Sequence, residues 1–281
     1  MKGESAALQN KEFPPYSVLM SVYEKESPEF LKKSVESIFS QSIVPDEFVL
    51  VIDGKIGPEL ENEINSLKDR FKINCAALAQ NLGLGRALNF GLSHCKNEIV
   101  MRMDSDDISV SDRAEKQLAL MQQTGADIVS SAVAEFESDP ECITSVRTVP
   151  QTHEEIMRFV KKRTPFNHPA VLYKKSVIES VGGYMDYLFF EDYELFARAL
   201  ANGAKGANSA EPLVLMRTGS GLIKRRGGRE YVKCLNRFYN RMRELGICSF
   251  KETVTVQLPR AVVALLPQGI RKFVYQKFLR G

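Results

Sequence analysis

At 281 residues the chain is long enough for one large domain or a domain with an appendage, and 44% hydrophobic with 26% charged residues describes a soluble globular protein with a real core. No run approaches the roughly 18 apolar residues of a membrane span, and the opening MKGESAALQNKEFPP lacks the apolar stretch of a secretory signal. Five scattered cysteines (Cys75, Cys95, Cys142, Cys234, Cys248), in no CxxC or Cys/His cluster, argue for reduced thiols in a cytoplasmic compartment rather than a disulfide frame. The net charge of +3 hides an asymmetry: from Arg217 to Gly281 there are fifteen Lys/Arg against three acids, a balance of +12, so the first 216 residues carry −9. The basic region reads either as a soluble tail or as a surface for anionic lipid or phosphate, and no recognised nucleic-acid motif accompanies it.

Tyr16 to Val22 is a first strand, apolar almost throughout, as expected where both faces are covered. Ser27-Pro28 is a cap followed by proline at the first helical position, and the helix aligns Leu31, Val35, Ile38 and Phe39. Phe48 to Ile52 is a second strand ending at Asp53-Gly54, and a helix from about Pro58 aligns Leu60, Ile64, Leu67 and Phe71. Ile73 to Ala79 is a third strand, after which Gln80 to Arg86 opens a helix through Leu88 and Leu92. The β-α-β-α-β-α-β alternation predicts a parallel sheet wrapped by helices, with ligands bound outside the strands' C-terminal edge.

The fourth strand, Ile99 to Met103, runs straight into Asp104-Ser105-Asp106-Asp107. Carboxylates this close repel one another, and a hard divalent cation, Mg²⁺ or Mn²⁺, is a common neutralising partner. The alternative is a solvated loop in which Ser111 or Asp112 caps the next helix. Asp53 and Asp104 both end strands at the C-terminal edge and are expected in one crevice. The glycines of Asn81-Leu-Gly-Leu-Gly-Arg86 open a helix whose amides, with Arg86, suit a diphosphate, although no Walker A loop or GxGxxG turn is present.

In the second half, Asp127 to Phe136 is a strand and Thr152 to Glu155 a capping box before Ile156, Phe159 and Val160. Asn167-His168-Pro169 precedes an apolar strand, Ala170 to Tyr173, and a short helix from Lys175 to Val181 closes at Gly182-Gly183-Tyr184. Glu191 and Asp192 open a helix running to Asn202, where the helix dipole favours acids and where a general base at a cleft mouth would also stand.

In order, Ser17-Val18 to Tyr23-Glu24, Asp53-Gly54, Asp104-Ser105-Asp106 and Glu191-Asp192, with Asn81 to Gly91, His168-Pro169 and Gly182 to Tyr184, resemble the family 2 glycosyltransferases from about Tyr16 to Arg229. Within the family, residues 51–57 and 225–228 look most like bacterial surface-polysaccharide transferases of the amylovoran-synthesis type. The resemblance implies an α/β GT-A fold over residues 14–216 and a basic helical region over 217–281. It implies a UDP-sugar donor, a saccharide or lipid-linked acceptor, inversion at the anomeric carbon, and Mn²⁺ or Mg²⁺ as cofactor.

By the same resemblance, Asp53 contacts the nucleotide base in a pocket lined by Ser21 and Val22, and Arg86 joins the donor site. Asp106 ligates the metal, while Asp104 holds the sugar or ribose and the metal's outer shell. Asp192 is the catalytic base with Glu191 close to the acceptor, and Asn167 and His168 are acceptor-side candidates. Two departures stand out. One carboxylate, not a pair, precedes Gly54, and Arg217 to Leu222 lacks the histidine that many members place near the metal, leaving Arg217, Lys224, Arg225 or Arg226 to neutralise the diphosphate.

The short apolar and basic stretches at Leu258–Pro267 and Ile270–Leu279 suit an interfacial helix on anionic lipid, at the cytoplasmic face of a membrane, or a hairpin packed on the catalytic domain. A sugar nucleotidyltransferase or a non-catalytic nucleotide-sugar or glycan binding module would share much of this pattern.

Overall fold

The near-continuous apolar runs form the parallel half of one sheet. The computed structural model describes residues 13–218, 227–267 and 269–271. Strands β1 (Tyr16–Val22), β2 (Glu47–Asp53), β3 (Asn74–Leu78) and β4 (Ile99–Asp104) lie in the order β3-β2-β1-β4, all parallel. Helices α1 (Pro28–Phe39), α2 (Pro58–Arg70) and α3 (Leu84–His94) connect them. At the start of α1 the Phe30 amide donates to Ser27 Oγ at 3.4 Å and Pro28 takes the first turn, as the sequence predicts.

Alternation along the strands divides the core in two. Leu19, Val49 and Val51 pack with Leu88 and Leu92 of α3 on one face. Val18, Met20, Val22 and Leu50 pack with Leu31, Val35, Ile38, Leu60 and Ile64 on the other. Each buried aliphatic side chain contributes roughly 1.5–3 kcal/mol.

Beyond β4 the sheet changes direction. β4 pairs antiparallel with β8 (Leu172–Lys174), and β8 pairs antiparallel with β6 (Ile128–Phe136). β6 runs parallel to β9 (Gly206–Arg217), against which the two-residue β5 (Ile108–Ser109) pairs. A further strand, β7 (Ile143–Arg147), lies on β6. The apolar run expected as a strand from Ala170 begins instead as a 3₁₀ turn over His168–Ala170. Pro169 brings no amide hydrogen to a ladder there. Helix α4 (Arg113–Thr124) follows β5, and α5 (His153–Phe159) starts at the expected capping box of Thr152 and Glu155. After β8 come α6 (Lys175–Ser180) and α7 (Glu191–Ala201).

The basic region contributes α8 (Arg229–Glu244) and α9 (Phe250–Leu265). Tyr231, Leu235, Phe238, Tyr239 and Met242 of α8 belong to the same buried cluster as α3 and α7. The helix therefore packs on the sheet domain with its apolar face, leaving Arg229, Arg237 and Arg243 outward. Most of the expected Ile270–Leu279 stretch lies outside the described residues. No helix among the described residues is long and apolar enough to cross a membrane.

Candidate active site

β1 sits between β2 and β4, so their ends frame its C-terminus. Ser21 pairs in register with Asp104 on one side and Val51 on the other, and Asp53 is one step beyond Ile52, the partner of Val22. The two acidic strand ends thus share the expected crevice. Ser21 is half-buried at this edge, whereas the side chain of Val22 points into the core with Met20 and Leu50. Only its backbone can face a ligand, which corrects the expectation of a pocket-lining side chain.

Asp53 is buried, and its carboxylate accepts the amides of Leu82 at 2.7 Å and Gly83 at 3.0 Å. Asn81 Nδ2 donates back to the Asp53 carbonyl at 3.2 Å. Gly54 adopts a φ of +88°, and any side chain there would overlap the Asn81 amide. The glycine loop is therefore tied to the end of β2. The amides of Leu82 and Gly83, within the loop expected to face a phosphate, are directed inward to Asp53, which is a second correction. Arg86 lies at the rim, paired with Asp186 at 3.5 Å, both largely exposed.

The acidic cluster after β4 is organised by a cation that motif reasoning passed over. Arg102 is 1% exposed and forms a two-pronged ion pair with Asp104, one prong at 2.7 Å. Residues two apart share a face of a strand, which is why Arg102 reaches Asp104. Ser34 Oγ of α1 donates to the Asp104 carbonyl at 3.0 Å. The Ser105 hydroxyl donates to Glu26, just before α1. Burial first, then the charges of Asp104 and Glu26, push the Asp106 carboxyl up to about 6. Burial, then the charges of Asp104 and Asp106, raise Asp107, which accepts the Arg217 amide at 2.7 Å. The other oxygen of Asp107 has no hydrogen-bond partner among the described residues.

Arg217, one of the four suggested diphosphate cations, comes to this cluster from the end of β9. Its guanidinium lies 3.7 Å from the Phe30 ring centroid and 4.6 Å from that of Phe136, and its Nε donates to the Asp106 carbonyl at 3.2 Å. Lys224, Arg225 and Arg226 lie outside the described residues.

Glu191 and Asp192 start α7 opposite this edge. A Cβ on Gly85 in the first turn of α3 would stand 3.9 Å from the Glu191 Cβ, so the two helix starts are in contact. Burial, reinforced by Asp192, raises Glu191 to about 7; burial also raises Asp192, against the opposing pull of Arg102 and Arg147. Arg102 thus exerts its charge on Asp104, Asp106, Asp107, Glu191 and Asp192 alike, which joins the two acidic motifs in one site.

The turn before α7 is held from three sides. Asn89 of α3 accepts the Tyr184 amide and donates to its carbonyl, both at 2.7 Å. Tyr184 Oη meets His168 Nε2 at 2.8 Å, and burial followed by Arg102 holds His168 well below its usual range, hence neutral. Arg198 of α7, paired with the fully buried Glu194 at 2.6 Å, donates to the carbonyls of Val181 and Gly183. Asn167 is 3% exposed, and its amide donates to the Ser131 and Arg147 carbonyls at 2.8 and 3.2 Å. It braces β6 and β7 instead of presenting a donor to an acceptor, a third correction.

Among the described residues, no three His, Cys, Asp or Glu side chains form a ready-made metal cage. The donors present still fit a hard cation. Mg²⁺ typically takes one or two carboxylates and completes its shell with phosphate and water. Asp106, destabilised as an anion by its neighbours, is the carboxylate that such a charge would relieve.

The model of "Glycosyl transferase family 2" matches residues 17–182. An Escherichia coli UDP-Gal:alpha-D-GlcNAc-diphosphoundecaprenol beta-1,3-galactosyltransferase is 40% identical over 95% of this chain and 97% of its own. The amylovoran biosynthesis glycosyltransferase AmsE of Erwinia amylovora is 34% identical over 95% and 100%. Among solved structures, S. aureus TarS residues 1–349 with UDP-GlcNAc gives a TM-score of 0.67 at 14% identity, covering 94% of this chain and 76% of that one. Mannosyltransferase PcManGT from Pyrobaculum calidifontis, with GDP-Man and Mn²⁺, gives 0.59 at 12% identity over 96% and 89%. These two share the fold, a GT-A sheet. With the acidic strand end and the Glu-Asp helix start meeting at its C-terminal edge, the chain belongs to the family 2 glycosyltransferases.

Proposed function

We propose that this protein is an inverting, metal-dependent transferase that moves a hexose from a UDP-sugar to a lipid-linked saccharide in bacterial surface-polysaccharide assembly. The observation that carries this reading is the gathering of Asp104, Asp106, Glu191 and Asp192 around the buried cation Arg102. The two full-length relatives, one acting on a diphosphoundecaprenol-linked sugar and one named for amylovoran synthesis, support the acceptor class.

In this mechanism Asp192 accepts the proton of the acceptor hydroxyl. Its raised affinity for a proton suits that role, because a base gains strength as its pKa approaches the working pH. Glu191 beside it, raised to about 7, remains protonated over much of the neutral range and donates a hydrogen bond to the acceptor sugar. Asp106 would hold a divalent ion, and Arg102 keeps the Asp104 carboxylate oriented beside it. The ion supplies Lewis-acid stabilisation of the departing diphosphate. Attack from the face opposite the leaving group inverts the anomeric centre, so no enzyme nucleophile is needed. Ser21 and the backbone at Val22 line the base pocket, whose floor Asp53 braces through the 81–83 loop.

Asp192→Asn is expected to lower turnover by about 10²–10⁴-fold while leaving UDP binding nearly intact. Asp106→Ala should weaken UDP binding in the presence of Mn²⁺ and leave metal-free binding unchanged. Calorimetric titration with a product assay reads both. Unchanged turnover in Asp192→Asn removes that residue from the mechanism, and release of pyrophosphate instead of UDP identifies a nucleotidyltransferase.

A further inference from the structure

Helix α9 is unusual in what it shows to solvent. Its exposed residues are Phe250, Lys251, Val254, Thr255, Leu258, Pro259, Val262 and Leu265. At 100° per residue they form one continuous face. Five large apolar side chains on it, at spacings of four, four, four and three, are 41–69% exposed. The face has no carboxylate and a single cation. An ordinary surface helix shows the reverse arrangement, apolar inside and charged outside. The side of α9 that turns inward is modest: Thr253 and Ala264 are its buried residues, packed toward α8.

The surroundings are cationic. Residues 227–271 hold eight Lys/Arg and three Glu. Two of these acids are already paired, Glu252 with Lys161 at 2.8 Å and Glu244 with Arg241 at 3.2 Å. The Arg243 guanidinium lies 5.5 Å from the ring centre of Phe250, at one end of the apolar face. Residues 272–281 add three Lys/Arg and no acid in sequence.

We propose that this face of α9 docks the protein on an anionic lipid bilayer, with Phe250, Val254, Leu258, Val262 and Leu265 entering the headgroup–acyl boundary and the surrounding cations meeting lipid phosphates. An apolar face beside Lys/Arg, on a helix too polar to span, has the chemistry of an in-plane interfacial helix. Each cation near an anionic surface adds attraction that is lost with salt. A second copy of the chain is a poorer fit. A 16-residue helix is about 24 Å long and 10–12 Å across, so its exposed face offers about 250 Å², against the roughly 800 Å² per partner of a stable interface. α8 connects this face to the acceptor side, because it carries α9 and also touches the loop leading to the Glu191–Asp192 pair, where Met185 and Leu188 are exposed.

The test is flotation of the full chain with phosphatidylglycerol–phosphatidylethanolamine vesicles, beside phosphatidylcholine vesicles and a high-salt arm. It reads lipid binding alone and does not depend on the proposed reaction. The expected result is flotation with the anionic vesicles that drops severalfold on phosphatidylcholine or in high salt. It should drop at least about tenfold in Leu258→Glu/Val262→Glu, whose thermal midpoint and UDP binding stay at wild-type values. The uncharged pair Leu258→Ser/Val262→Ser should also lose binding, which separates insertion from added repulsion. Protein that stays at the bottom of the gradient, or a double variant that floats like wild type, overturns the proposal. So does a dimer in sedimentation velocity that the variant abolishes while vesicles are ignored.

Discussion

A buried arginine two positions before the first carboxylate changes what the acidic cluster requires from outside. Arg102 already neutralises Asp104, so an added cation acts mainly on Asp106 and Asp107. Arg102→Met leaves Asp104, whose side chain is 34% exposed, without its partner, and a loss of about 1–3 kcal/mol is expected. Urea unfolding should show that loss. Arg102→Lys keeps the charge without the two-pronged geometry and should recover only part of it. Glu191 yields a pH signature of unusual sign for a carboxylate. Its folded value is raised from 4.5 to about 7, so between those limits the folded state keeps a proton that the unfolded chain has released. Stability from this group is full below pH 4.5 and falls as pH rises to 7. Glu191→Gln should flatten that fall and raise the urea midpoint at pH 8 above wild type.

At this scale the acidic residues were legible because they interrupt apolar strands. The lone cation in Ile99-Val-Met-Arg-Met-Asp104 was equally visible, but its role depends on which face of β4 is covered. The partners of Asp53 and Asn167 could not be read at all. Whether a polar side chain turns toward a ligand or toward a neighbouring backbone is decided by segments 20 or more residues away.

At the scale of elements, the helix that opens with Glu191 and Asp192 is positioned by contacts distant from that pair. Phe189 adopts a φ of +70° immediately before α7, a conformation that costs roughly 1–2 kcal/mol for a residue with a Cβ. It is held between aromatic contacts, its own ring against Tyr231 at 5.5 Å and Phe190 stacked on Phe238 at 4.8 Å. Within α7, Glu194 is shared by Arg198 and by Arg241 of α8. Glu194→Ala strands a buried guanidinium, and a loss of about 3–5 kcal/mol is expected in chemical denaturation. Turnover should fall as well, because the 181–184 turn loses its brace. The parallel strands and α1, α2, α3 and α5 could be read from periodicity, proline and capping residues. β9 could not. Gly206-Ala-Asn-Ser-Ala-Glu-Pro212 has the composition of a loop and becomes a strand through its ladder with β6, with register shifts between Ser131 and Val133. β7 is largely exposed and lacks an apolar alternation to announce it.

For the whole molecule, charge suggested an appendage from residue 217, and the packing binds its first helix to the transferase core. A chain shortened to end at Thr218 would expose the apolar surface that Leu235, Phe238 and Met242 cover. It is expected to lose cooperative thermal unfolding. A chain ending at Cys248 keeps α8 and gives up only the shallow contacts of α9, so it should unfold cooperatively within a few degrees of wild type. Differential scanning calorimetry of the two shortened chains checks both outcomes.

The turn between those helices has a consequence for recombination. Gly246 adopts a φ of +71°, with the Ile247 amide returning to the Met242 carbonyl at 3.0 Å, and this closes α8 as a self-contained end. A hybrid that joins the first part of one such transferase to the tail of another at residue 217 would separate α7 from the helix that fits it. A hybrid joined after Gly246 inherits the core and its clasp together and exchanges only the outer helix.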